Sequence, residues 1–218
     1  MDPLRVLVAD DHEIVRKGLR FLLEAQPGWQ VVDEALDGRD AVAKAKQYKP
    51  DVVVLDLSMP TLNGLEATRQ ILAHDPRIKV LILTMHDSDP IIKDVLDAGA
   101  RGYLLKSDAS RDLVSAVEAI RRNKTFFTAK VEKMVLEGYL HKKPYLTDPD
   151  SPSIRLTPRQ REIVQLLAEG KSSKEVAVSL GLSVKTAETH RANIMRRLEC
   201  HSISELVRYA VRNEIIQA

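Results

Sequence analysis

The chain has 218 residues, of which 44% are hydrophobic and 29% charged, a balance that suits a soluble globular protein with room for two small domains, each with its own core. No apolar stretch approaches the roughly 20 residues that cross a bilayer, Met1-Asp2-Pro3 leaves no space for a signal peptide, and Cys200 stands alone, so a cytoplasmic protein without intrachain disulfide or metal–thiolate centre is expected. The formal charge of +2 is the sum of −2 over residues 1–124, 0 over 125–154 and +4 over 155–218, which assigns any nucleic-acid contact to the C-terminal part.

In chain order, Val6-Leu7-Val8-Ala9 is a continuous apolar run that ends at Asp10-Asp11. Val52-Val53-Val54-Leu55 runs into Asp56, Val80-Leu81-Ile82-Leu83 into Thr84, and Gly102-Tyr103-Leu104-Leu105 into Lys106. Between these runs lie helical stripes: Ile14, Val15, Leu19, Leu22 and Leu23; Ala41, Val42 and Ala45; Leu65, Thr68, Ile71 and Leu72. Ile91, Ile92, Val95 and Leu96 precede a stop at Gly99, and Leu113, Val114, Val117 and Ile120 follow a cap at Ser110. Five such alternations to about Lys124 predict a doubly wound α/β domain, a five-stranded parallel sheet of flavodoxin-like type.

Ligands of open parallel sheets bind beyond the carboxyl ends of the strands. Asp10, Asp11, Asp56, Thr84 and Lys106 are therefore expected on one rim. Carboxylates gathered without thiols suit a hard, oxygen-loving cation such as Mg²⁺, and a lysine suits a phosphoryl group as a point charge.

Residues 125–154 break the pattern. Val131, Met134, Val135 and Tyr139 have the spacing of one linker helix, and Pro144–Pro152 reads as a flexible tether. From residue 155 the chain is helical. Thr157-Pro158-Arg159-Gln160 is a capping box, Ile163, Leu166 and Leu167 form a buried stripe, and Gly170 ends it. Val176, Ala177 and Leu180 mark a short second helix ending at Gly181-Leu182, Ser183 caps a third that reaches about Leu198, and Ser202-Ile203-Ser204-Glu205 opens a fourth as a second capping box. Two helices joined across Leu180 to Ser183 make a helix-turn-helix.

With these residues in view, positions 1–124 resemble the receiver domain of a bacterial response regulator, and 155–218 resemble the LuxR-type DNA-binding domain of the NarL/FixJ family. The likeness rests on Val8-Ala9-Asp10-Asp11-His12, Leu55-Asp56-Leu57-Ser58-Met59-Pro60, Leu83-Thr84-Met85-His86, Gly102-Tyr103-Leu104-Leu105-Lys106, Leu156-Thr157-Pro158-Arg159 and Thr189-His190-Arg191-Ala192-Asn193. Ser107 follows Lys106 where many receivers carry proline. The resemblance implies that Asp56 takes a phosphoryl group from a sensor histidine kinase. It further implies that Asp11 and Asp56 bind Mg²⁺ directly, with Asp10 nearby and the Ser58 carbonyl completing the set, and that Thr84 and Lys106 grip the phosphoryl oxygens. Tyr103 would be a rotameric switch that turns inward as Thr84 moves, while His12 and His86 would be neighbours that tune the site.

In the third helix of the tail, Ala187, His190, Ile194 and Leu198 share the face that packs inward. Lys185, Glu188, Thr189, Ala192 and Arg196 take the opposite face, with Arg191 at its edge. On double-stranded DNA, Glu188 would accept from cytosine, Thr189 and Ala192 would touch a thymine methyl, and Lys185, Arg191 and Arg196 would hold phosphates or guanine. The expected partners are thus a histidine kinase, double-stranded DNA, a second copy of the chain in a phosphorylation-dependent dimer, and RNA polymerase, with no membrane. An aspartate-nucleophile phosphatase fits less well, because that family carries a second aspartate where this chain has His12. A nucleotide-binding flavodoxin-like module would need glycine in the first turn, which here reads Asp10-Asp11-His12-Glu13.

Overall fold

The computed structural model describes residues 3–85, 89–127, 131, 156–213 and 215–216. The tether Pro144–Pro152, His86 and, apart from Val131, the expected linker helix lie outside the described residues. The chain divides into two compact units, Met1–Pro144 and Tyr145–Ala218.

The first unit contains β1 (Leu4–Ala9), α1 (Glu13–Glu24), β2 (Trp29–Ala35), α2 (Gly38–Tyr48), β3 (Val52–Asp56), α3 (Gly64–His74), β4 (Lys79–Thr84), α4 (Asp89–Asp97), β5 (Gly102–Leu105) and α5 (Ala109–Arg121). Its sheet is parallel throughout, with strand order β2-β1-β3-β4-β5. The apolar runs are the central strands, because a parallel sheet is covered on both faces and must be apolar on both. Alternate residues serve opposite layers: Leu7, Val53, Leu55, Val80 and Ile82 pack with Ala41 and Val42 of α2, Ile71 of α3 and Ile92 of α4. Val6, Val8, Val52, Val54, Leu81 and Leu83 pack with Leu19 and Leu23 of α1 and Leu113, Val117 and Ile120 of α5. The edge strand β2 is only half-buried and carries Asp33 and Glu34, so it lacks an apolar run to announce it.

Three expectations for this unit change. Ile14 is 87% exposed rather than part of the buried stripe. It lies five and nine residues from Leu19 and Leu23, roughly 140° and 180° around a helix of 3.6 residues per turn. Ser110 is not a cap: a 3₁₀ turn at Lys106–Asp108 runs directly into α5, which places Ser110 inside the helix. Nor does packing stop at 124, since Phe126 and Phe127 pack against the core and Val131 lies within it. All peptide bonds of the described residues are trans, including the one after Lys106.

The described residues of the second unit form four helices, α6 (Pro158–Ala168), α7 (Ser173–Leu180), α8 (Val184–Arg197) and α9 (Ile203–Arg212). Ile163, Leu166, Leu167, Val176, Ala187, Ile194 and Leu206 form their common core. Thr157 and Gln160 close a reciprocal capping box at α6, and Ser172 and Glu175 close another at α7. Gly181 takes the left-handed conformation after α7 (φ 63°), turning the chain toward Ser183, which caps α8. The expected box at α9 forms only by half. The Glu205 backbone amide donates to Ser202 Oγ at 3.2 Å, whereas the Glu205 carboxylate accepts from the His201 amide at 2.6 Å, one residue earlier than a capping box requires.

Candidate phosphoryl site and nucleic-acid interface

Sheet register brings the expected rim together. Ala9 pairs with Leu55, Asp56 with Leu83, and Thr84 with Leu105, so Asp10, Asp56, Thr84 and Lys106 emerge within about one residue of a common level. Asp10 and Asp56 are buried, at 0% and 1% exposure, while Asp11 lies at the exposed rim. The Lys106 ammonium reaches between the buried pair, 2.7 Å from Asp10 Oδ2 and 3.0 Å from Asp56 Oδ2. The ammonium is shared between two desolvated carboxylate oxygens, and an oxygen that meets one cation keeps a further lone pair for a ligand.

Several residues aim this cluster. The Arg16 guanidinium, itself buried, donates to the Asp10 carbonyl at 2.8 Å and to Glu34 at 3.4 Å across the start of the site. The His12 amide donates to Asp10 Oδ1 at 2.9 Å, and its ring Nδ1 lies 2.9 Å from Asp11 Oδ1. Beyond β3, the Leu57 amide donates to Leu83 O and the Gly64 amide to Leu57 O, at 2.9 and 2.8 Å, which folds the loop carrying Ser58 back over the sheet. Gly64 is required there: a Cβ would stand 2.1 Å from the Asp56 carbonyl oxygen. Gly38, at the start of α2, meets the same loop, with a Cβ position 2.0 Å from the Leu62 carbonyl oxygen. Asn63 caps α3 by accepting from the Glu66 amide at 3.0 Å. The sequence reading passed over Arg16, Gly38 and Gly64, although Asn63 followed by Glu66 is a helix-start signal that marks the loop.

The electrostatics follow from burial. Loss of water pushes the Asp56 carboxyl up to about 6, against the pull of Lys106, with Asp10 adding to the rise and the Ser58 amide opposing it. For Lys106, burial works to lower its pKa, but the Asp56 and Asp10 carboxylates outweigh this and hold it above the ordinary lysine value. Ligand atoms of Asp10, Asp11, His12 and Asp56 all lie within 4.8 Å of one another, a group able to hold a metal ion. Two desolvated carboxylates with acceptor capacity to spare fit a divalent cation. Thr84 and Tyr103 are both 1% exposed, the hydroxyl-bearing residue at the end of β4 and the ring within the core layer beside α4.

In the second unit, Ala187 and Ile194 of α8 are buried and His190 is half-buried, so that face packs inward as expected. Lys185, Glu188, Thr189, Arg191, Ala192 and Arg196 are all exposed. The Thr189 hydroxyl donates to the Lys185 carbonyl at 2.8 Å, and Arg196 donates to Asn193 Oδ1 at 2.7 Å. The cations and Glu188 thus stand on the solvent side of the second helix of a helix-turn-helix, the element that enters a major groove.

Comparison with known proteins matches each unit to a family. Residues 6–118 match the response regulator receiver domain, and 155–210 match the bacterial regulatory proteins of the luxR family. The oxygen regulatory protein NreC of Staphylococcus carnosus is 38% identical over 215 residues, covering 98% of this chain and 99% of the relative. The RcsB response regulator of Salmonella typhimurium shares 28% identity at a TM-score of 0.66, over 98% of this chain and 99% of that one. A structure of two RcsB dimers bound to two parallel DNAs matches at 29% identity and a TM-score of 0.57, over 95% and 98%.

Proposed function

This chain belongs to the response regulators that join a receiver to a LuxR-family DNA-binding domain, phosphorylation-controlled regulators of transcription, and on that premise we propose that Asp56 is the phosphoryl acceptor. The observation that carries this reading is the buried Asp10–Lys106–Asp56 cluster at the ends of β1, β5 and β3. Above pH 6 Asp56 is ionised, and its carboxylate oxygen attacks the phosphorus of a phosphohistidine on a sensor kinase. An acyl phosphate bond forms as the bond to the donor nitrogen breaks. Asp11 and Asp56, with Asp10 and the Ser58 carbonyl, would hold Mg²⁺, which supplies the positive charge that lets an anionic phosphate approach an acidic site. Lys106 is already placed to exchange a carboxylate contact for a phosphoryl oxygen, and Thr84 stands on the adjacent strand end to take another.

The output is DNA binding by the exposed face of α8. Glu188, Thr189 and Ala192 read base edges, and Lys185, Arg191 and Arg196 hold the backbone. One such helix on a unit of modest positive charge binds weakly, so phosphorylation acts by pairing two chains on an inverted repeat. The dimers and DNA described for RcsB support this reading. The described residues contain no helix long and apolar enough to cross a membrane. RNA polymerase is a further possible partner of a regulator of this class.

Incubation with a small acyl phosphate and Mg²⁺, followed by intact mass, tests the assignment. The parent should gain one phosphoryl mass, and Asp56→Asn or a chelator should abolish it. An unchanged adduct in Asp56→Asn sinks the reading.

A further inference from the structure

His12 occupies the cap position of α1 with extended backbone (φ −88°, ψ 111°), yet its side chain makes no capping hydrogen bond. The ring turns to the carboxylates instead: Nδ1 lies 2.9 Å from Asp11 Oδ1 and 3.3 Å from Asp10 Oδ1. Asp10 thus divides its oxygens, with Oδ2 against the Lys106 ammonium at 2.7 Å and Oδ1 toward His12. Asp56 adds an oxygen to the same group, so that three carboxylate donors and one imidazole nitrogen lie within 4.8 Å of one another. The turn that carries the ring is fixed, because the His12 amide donates to Asp10 Oδ1 at 2.9 Å and Arg16 donates to the Asp10 carbonyl at 2.8 Å. The His12 side chain is itself 59% exposed, so an ion reaches it from solvent.

We infer that His12 Nδ1 is itself a ligand of the divalent cation, and that it biases the site toward a first-row transition ion such as Mn²⁺ over Mg²⁺. The inference rests on reading Asp10, Asp11 and Asp56 as the metal set of a phosphoacceptor site. Donors bound at about 2.1 Å and at right angles around one ion lie about 3 Å from each other. The two Nδ1 to Oδ1 spacings bracket that value. Mg²⁺ takes oxygen donors and gives up water reluctantly, whereas imidazole suits the transition metals. Mn²⁺ shares the carboxylate preference of Mg²⁺ and accepts a nitrogen donor more readily. Ligation uses the Nδ1 lone pair of the neutral ring, with the ring proton on Nε2. A hydrogen bond from Nδ1 to Asp11 would give the same 2.9 Å distance. The two roles separate when a cation arrives: a donor steadies Asp11 for any ion alike, while a ligand brings nitrogen to the metal and discriminates between ions. Phosphoryl uptake by Asp56 is then supported at lower concentrations of Mn²⁺ than of Mg²⁺.

Electron paramagnetic resonance on the full chain, free of any histidine tag, tests this. The signal of free Mn²⁺ titrates its binding, displacement of Mn²⁺ by Mg²⁺ gives the second affinity, and electron spin echo modulation detects a nitrogen bonded to the bound Mn²⁺. Nitrogen modulation is expected in the parent and should be lost in His12→Gln, whose side chain still donates to Asp11 but has no imidazole. The same variant should bind Mn²⁺ about tenfold more weakly while its Mg²⁺ affinity stays within about twofold of the parent's. Bound Mn²⁺ without nitrogen modulation in the parent overturns the inference and leaves the reading of Asp56 standing. Modulation that survives His12→Gln, or an equal weakening of both ions, does the same. If neither ion binds at a site that Asp56→Asn weakens, the metal reading of Asp56 and this inference fall together.

Discussion

Replacing Asp56 with Asn should make the receiver more stable, and the gain should depend on pH. Burial sets the Asp56 carboxyl at about 6, against about 3.9 for an aspartate in an unfolded chain, and that gap corresponds to roughly 3 kcal/mol spent on keeping the ionised group folded. Asparagine removes this cost but leaves Lys106 with Asp10 alone, so a net gain of about 1–2 kcal/mol is expected. The sign follows from proton binding: between about pH 4 and 6 the folded chain holds more protons than the unfolded one, so parent stability falls as pH rises through that window. The advantage of Asp56→Asn should be full above pH 6 and vanish toward pH 4. Trp29, the one tryptophan, lies in β2 and reports the receiver selectively. Urea unfolding followed through its fluorescence, in chelator at pH 8.0 and 4.5, measures the difference directly, and thermal melts should show roughly 3–6 °C at the higher pH. A variant less stable than the parent at pH 8, or a gap equal at both pH values, would refute the assignment of buried charge as a cost.

Three other outcomes follow from the same geometry. Millimolar Mg²⁺ should raise the receiver melting temperature of the parent more than that of Asp56→Asn, because a ligand stabilises by its affinity for the folded site; equal shifts would remove Asp56 from the metal set. Gly64→Ala should destabilise the receiver by about 2–3 kcal/mol and slow phosphoryl uptake, since its methyl group must displace the Asp56 carbonyl; a neutral result in denaturant titration would contradict the packing. In the DNA-binding unit, Arg191→Ala should weaken all DNA binding and flatten its salt dependence, whereas Glu188→Ala should relax preference at one base position by about 1–3 kcal/mol. Equal losses on specific and random DNA for both variants, read by fluorescence anisotropy, would erase that division of labour.

The central strands and the rim were readable because a parallel sheet has no wet face: the middle of each central strand is apolar, and the polar residue that closes the run marks the carboxyl-end rim. That logic located Asp10, Asp56, Thr84 and Lys106. It failed where one side of an element meets water, as at β2, whose Asp33 and Glu34 disguise an edge strand. Ile14 misled for a related reason, since residue type was read without its angular position on α1. Ser110 and the box at Ser202 show the limit of capping signals: a preceding 3₁₀ turn or a neighbouring amide satisfies the same donors. Phe126 and Phe127 lay in a stretch read as linker, because two apolar residues carry no signal until a sheet edge is there to receive them, and Val131 was assigned to a linker helix rather than to the core it joins. The roles of Arg16, Gly38 and Gly64 are contacts between distant segments, which no local pattern encodes.

Gly38 and Gly64 begin different helices, yet each yields the space of a missing side chain to the one loop between β3 and α3. The alignment of that loop is thus set by two vacancies as well as by the amide bonds of Leu57 and Gly64, much as a key blank is located by its notches. A library randomising α2 and α3 should return varied residues at solvent-facing positions and only glycine at these two. Any designed sensor that borrows this receiver must carry both along, even when everything else on those helices is rewritten to suit a new surface.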